Sequence, residues 1–123
     1  MDSATRAAIV AELSAAFGGA RDVSSAPDQP LCVELNAIRV PPPWRPSPAK
    51  ALMCFEGWPD RRPGFWIAPE VVNDAGQPPQ SSSDAYILGG RWRAFSFQFP
   101  WNEGSGTPTR VVQLWLTRFR LAQ

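Results

Sequence analysis

The chain of 123 residues contains no histidine. That absence removes the side chain whose charge changes most readily near neutral pH. With it go His-based acid–base work, serine triads of the usual kind and most zinc sites. Lysine is almost absent as well: eleven arginines and Lys50 supply the cations, against eleven acidic residues, for a net charge of +1. Such a balance argues against a protein that binds nucleic acid by neutralising phosphates. No apolar run approaches a membrane-spanning length. The opening MDSATRAAIVAEL lacks a basic segment followed by an apolar one, so no secretory leader is expected and a cytoplasmic location is. Cysteine is scarce: Cys32 and Cys54 are expected to be free, reduced thiols. No metal and no cofactor is expected.

What is present points to a packed core. Hydrophobic residues make up 44% of the chain and six are tryptophan, consistent with a single domain over residues 1–123. Fourteen prolines, most of them between residues 27 and 79, make the middle of the chain rich in rigid turns. Charge is unevenly spread. Residues 1–38 hold two arginines against five acidic residues, a net of −3, and residues 84–123 hold five arginines against Asp84 and Glu103, a net of +3. A solvated surface explains this simply; a basic docking face for an acidic protein partner is the functional reading.

Hydrophobic periodicity sets the elements. Residues 3–17 read as a helix capped by Asp2 or Ser3, with Ile9, Val10, Leu13, Ala16 and Phe17 as its stripe and Gly18-Gly19 as its stop. RDVSSAPDQP reads as a polar loop. LCVELNAIRV alternates as a half-buried strand, with Leu31, Val33, Leu35 and Ala37 on one side. PPPWRPSP reads as a stiff, extended connector, AKALMCFEG and GFWIAPEV as two further strands, and residues 73–85 as loop. YILGGRWRAFSFQF divides at Gly89-Gly90, with Phe95, Phe97 and Phe99 sharing a face. Thr107 caps a last helix that starts at Pro108 and carries Val111, Val112, Trp115, Leu116 and Phe119 as its stripe. Arg118 and Arg120 suit its negative end. The order predicts an α+β domain: N-terminal helix, antiparallel meander of three to four strands, irregular flap, C-terminal helix.

One stretch is neither polar nor flexible enough to be a mere connection. FEGWPDRRPGFWIAPEV, residues 55–71, sets Pro59, Pro63 and Pro69 among Phe55, Trp58, Phe65 and Trp66. Prolines fix a backbone where a strand is left, and aromatics pack such a turn onto a sheet, so Trp58, Pro59, Pro63, Trp66 and Pro69 are read as scaffold. WPDRRP has the spacing of the Tyr-Pro-x3-Pro signature that follows the third strand region of the ubiquitin-conjugating-enzyme (UBC) fold, shared with RWD domains. Further on, PWNEGSGTPTRVVQLWLTRF supplies a tryptophan, Trp101, and a threonine-led helix in the family's order. With GGRWRAFSF between them, these motifs make residues 31–120 resemble bacterial UBC-like proteins, the N-terminal helix matching by position.

The resemblance implies a place in a bacterial ubiquitin-like conjugation system, antiphage systems included, with a modifier, an activating enzyme or a conjugating enzyme as partner. It also implies a catalytic cysteine shortly before the downstream tryptophan, because the family carries its modifier as a thioester. Here that stretch is RWRAFSFQFP and holds none. Ser96 is its hydroxyl, Gln98 a possible hydrogen-bond donor beside it, and Cys54 the nearest alternative nucleophile, but no His or Lys cluster stands near any of them to activate it. Protein binding without catalysis is therefore the leading expectation. Active conjugation through Cys54 or Ser96 is one alternative, and an α+β binding module unrelated to ubiquitin chemistry is another. Trp44 among its prolines, Trp92 between Arg91 and Arg93, and Trp101 are candidate partner anchors, because aromatics and arginines are enriched in interfaces. Core packing is the leading reading for each tryptophan.

Overall fold

A computed structural model describes residues 1–95 and 106–119. Helix α1, Ser3–Phe17, begins where Asp2 accepts the Thr5 amide at 2.7 Å. It ends where Gly18 takes a left-handed φ of 78° and returns its amide to the Ser14 carbonyl. Its buried line is Arg6, Ile9 and Leu13, with Val10 and Phe17 packed at the margin. Ala16, expected in the stripe, is exposed, and Arg6 lies inside instead.

Six strands follow among the described residues: β1 Ala20–Asp22, β2 Cys32–Ile38, β3 Ala49–Cys54, β4 Gly64–Ile67, β5 Ser82–Ile87 and β6 Gly90–Phe95. They form one antiparallel sheet in the order β1-β2-β3-β4-β6-β5. The α+β class is as expected, but the sheet is larger than a three- to four-stranded meander. Two segments read as loop contribute to it. The arginine and aspartate of RDV belong to β1, three residues that pair with Val33–Leu35, and residues 82–85 open β5. The β5–β6 hairpin turns at Leu88 and Gly89, both at positive φ (52° and 77°), which suits the right-handed twist of its strands.

Strand alternation sends Val33 and Leu35 of β2, Ala51 and Met53 of β3, and Phe65 and Ile67 of β4 to one face. A register shift between Leu35 and Ile38 puts Ile38, rather than Ala37, back on that face. Both helices lie against it. Helix α2, Pro108–Phe119, starts as predicted, with the Arg110 amide donating to Thr107 Oγ1 at 3.2 Å. Val111, Val112, Trp115 and Phe119 are buried, and the Trp115 ring stacks on Phe65 with centroids 5.5 Å apart. Glu12 of α1 ties the helices together: its carboxylate accepts the Thr109 amide at 2.9 Å and the Thr109 hydroxyl at 2.7 Å. A negative group at a helix N-terminus is favourable both as a cap and against the helix dipole.

The connection from β2 to β3 is a turn rather than an extended rod. The Trp44 amide donates to the Pro41 carbonyl, and Arg45 pairs with Val72 through two 2.9 Å backbone bonds. This folds Trp44 inward. It is 3% exposed, edge-on to Phe119, and its indole nitrogen donates to the Phe119 carbonyl at 2.8 Å. Trp44→Phe keeps most of the ring but deletes that donor. It is expected to destabilise by about 1–2 kcal/mol, read as a midpoint shift in urea with an unchanged slope.

Candidate functional site

Alternation also builds a second sheet face, opposite the helices. Across β2, β3 and β4 the rows are Cys32–Cys54–Gly64 and Glu34–Leu52–Trp66. Leu52, Cys32 and Trp92 are buried there, with Val23, Cys54, Trp66 and Ile87 packed against them. Glu34 at the near corner meets Arg21 at 3.5 Å and Lys50 at 3.7 Å, so a charged corner borders the apolar centre. The sheet therefore has one apolar face closed by helices and a second, smaller apolar cluster with a polar margin.

Gly64 explains how Trp66 lies on this face. A Cβ at Gly64 would stand 2.4 Å from the far edge of the indole, so the ring folds back over the glycine of its own strand. Trp66 packs on this second face. Trp58 packs instead toward the main core and meets Phe55 edge-on, with centroids 5.3 Å apart. Pro63 is buried, Pro69 half-buried and Pro59 exposed. Gly57, at a φ of 77°, lets the chain turn so that the Arg61 amide reaches the Gly57 carbonyl at 2.9 Å.

The candidate partner anchors do not form one patch. Arg91, Trp92 and Arg93 are consecutive in a strand, so Trp92 points to the second face while both arginines point to the other. Trp92 is 9% exposed and is part of the packing. Asp84 holds both arginines, Arg91 at 3.3 Å and Arg93 at 3.1 Å, and Arg93 also donates to the Ser82 hydroxyl. Two of the five arginines behind the expected basic face are thus paired with a carboxylate. The inward turn of Trp44 removes it as a surface anchor. Ser96, Gln98, Phe97, Phe99, Trp101 and Arg120 lie outside the described residues.

Cys54, the nearest nucleophile, sits at the end of β3, half-buried beside Cys32, and both thiols are free. Burial pushes the Cys54 thiol well above its ordinary range, and hydrogen bonding to Cys32 adds to the shift. A thiol held protonated is a poor nucleophile at neutral pH. Among the described residues no group of three or more Cys, Asp or Glu is placed to hold a metal ion, and no helix is long and apolar enough to cross a membrane.

Sequence reasoning missed Arg6. Its guanidinium donates to the Gln29 carbonyl at 2.7 Å and stands 3.7 Å from Asp22, tying α1 to β1 and to the connection that follows it. Two clefts meet there. One, about 790 Å3, is lined by Ser3, Arg6, Val10, Asp22 and Ser24 among others. The other, about 320 Å3, has Arg6, Phe55 and Trp58 in its walls. Burial alone would raise the Asp22 carboxyl, but hydrogen bonds from Ser24 and the Arg6 charge outweigh it and hold the group below its ordinary 3.8. A lone arginine in a helix stripe looks like a solvated residue, and its charged partner lies in β1, which is too short to read.

Two outcomes follow from these contacts. Gly64→Ala is expected to destabilise by about 1–2 kcal/mol by displacing the indole, and to cost much less in a Trp66→Ala background; a double-mutant cycle in denaturant reads the coupling. Asp22 contributes stability that is complete above its unfolded pKa and is lost as pH falls through its lowered folded value. The Tm advantage of the wild type over Asp22→Asn should therefore shrink between about pH 5 and pH 3, as thermal melts in matched salt will show.

No family model, no curated protein and no solved structure matches the chain.

Proposed function

We propose that the chain is a non-catalytic UBC-like protein of a bacterial ubiquitin-like conjugation system, antiphage systems included. It acts by binding a modifier, its activating enzyme or a partner conjugating enzyme. The observation that carries this reading is the place of the WPDRRP turn. It leaves the third strand and enters the fourth, with Trp58 packed on the core and both helices on one side of the sheet. That is the position the signature has in the family the sequence resembles. The state of Cys54, half-buried and kept protonated, supports binding over thioester chemistry.

One feature favours a second reading, an α+β binding module with no link to ubiquitin chemistry. The β5–β6 hairpin inserts β6 beside β4 and carries the sheet to six strands, beyond the meander that the resemblance implies.

The test is titration of the chain with the modifier and activating enzyme of such a system from the same organism, together with intact mass after incubation with both and ATP. Saturable binding that survives Cys32→Ala and Cys54→Ala, with no modifier-sized mass gain, is expected. A gain that reductant removes would instead establish thioester transfer, and one that only mild alkali removes would place an ester on Ser96. Neither binding nor a mass gain, with an activating enzyme that charges itself, would leave the second reading.

A further inference from the structure

We propose that Cys32 and Cys54 are a reversible dithiol–disulfide pair, closed by exchange with low-molecular-weight disulfides of the glutathione class. The inference is independent of the partner proposed above and rests on where the sheet puts two thiols the chain could have placed anywhere.

The two residues are direct partners across β2 and β3 and point to the same face. They form a non-hydrogen-bonded pair. The Cys32 carbonyl accepts the Val23 amide at 2.8 Å and the Cys32 amide donates to Ser24 Oγ at 2.9 Å, so both backbone groups turn toward β1. On the β3 side, the Phe55 amide donates to the Leu31 carbonyl at 2.8 Å and brackets the pair. In such pairs the Cα atoms lie about 4.5 Å apart, inside the range of about 4.4–6.8 Å that a disulfide spans. Joining them needs only a small approach of the two strands.

The same geometry argues that the bond is reversible. Directly opposed Cβ atoms on a sheet stand about 4.5–5.5 Å apart, whereas a relaxed disulfide holds them about 3.5–4.5 Å apart. Closing the bond draws two hydrogen-bonded strands together, and a strained disulfide is the more reducible kind. Access is unequal: Cys32 is buried and Cys54 half-buried, so Cys54 is the thiol a small solute reaches first. Its environment keeps it protonated, which makes the opening step slow near neutral pH and faster as pH rises.

The chemistry balances in two steps. The Cys54 thiol loses its proton, and the thiolate attacks one sulfur of the small disulfide; that S–S bond breaks and releases one small thiolate, which takes up the proton. The Cys32 thiol then loses its proton, and its thiolate attacks Sγ of Cys54 in the mixed disulfide, releasing the second small thiol. Two cysteine thiols are oxidised and one small disulfide is reduced to two thiols. The product ties β2 to the last residue of β3, at the root of the turn that carries Trp58.

The experiment takes the reduced full chain into glutathione disulfide at about pH 8, blocks remaining thiols with N-ethylmaleimide and reads intact mass and a peptide map. Expected is a monomer lighter by about two mass units, unreactive to the blocking reagent and carrying a Cys32–Cys54 linked peptide, all reversed by dithiothreitol. Cys32→Ser should stop at a glutathione adduct on Cys54. The proposal is overturned if the wild type accumulates the mixed disulfide without closing. It is equally overturned if interchain dimers form instead, or if the folded chain does not react while the same chain in urea does.

Discussion

The register of β2 against β3 is the constraint on which most of the molecule depends. It seats Val33 opposite Met53 and Leu35 opposite Ala51, so the part of the helix-covered face that β2 and β3 supply is apolar. A slip of one residue would turn Cys32 and Glu34 toward the helices and Val33 and Leu35 away from them, exchanging the two faces at once. The same register sets Cys32 against Cys54 and brings Glu34 beside Leu52, within reach of Arg21 and Lys50. Core, charged corner and dithiol are thus one decision rather than three. The irregularity between Leu35 and Ile38 is what lets β2 keep that register and still return Ile38 and Val40 to the interior.

Around this pair the molecule is held by a few long-range polar ties, each joining elements that apolar packing alone would leave free to slide. Glu12 caps α2 from α1. Arg6 links α1 to the Gln29 carbonyl and to Asp22. Trp44 donates to the last described residue of α2 from the connection between β2 and β3. Hydrophobic burial is non-directional and fixes how much is inside. Hydrogen bonds of this sort fix which arrangement of the same apolar groups is adopted.

Much of the fold could be read from the chain, and the reasons differ by element. Asp2 and Gly18 bound α1, and Thr107 with Pro108 starts α2, because capping chemistry is local. The reading of β2 rested on a period of two that survives as far as the irregularity. What could not be read depends on pairing. β1 is three mostly polar residues that become a strand only beside β2, and the serines of β5 only beside β6. Arg91, Trp92 and Arg93 look like a patch in a string of letters, yet they divide between two faces once they lie in a strand. Core packing is the leading reading for Trp44, but the sequence could not name its partner, which lies 75 residues later in α2. Of the candidate nucleophiles, only Cys54 falls among the described residues. Its meaning lies in Cys32, a neighbour that sequence separation conceals.

The prolines between β2 and β3 act before there is any structure to hold. Residues 39–48 contain five of them, at positions 41, 42, 43, 46 and 48. Each fixes a φ angle in the unfolded chain and thins the population of shapes that folding must discard. Forming the β2–β3 register requires ordering that segment, and where the native turn accepts these φ angles the ordering loses less entropy than that of a glycine- or serine-rich link of equal length. Composition that looked like a peculiarity of the middle of the chain thus lowers the entropy lost in making the one pairing that everything else is built upon.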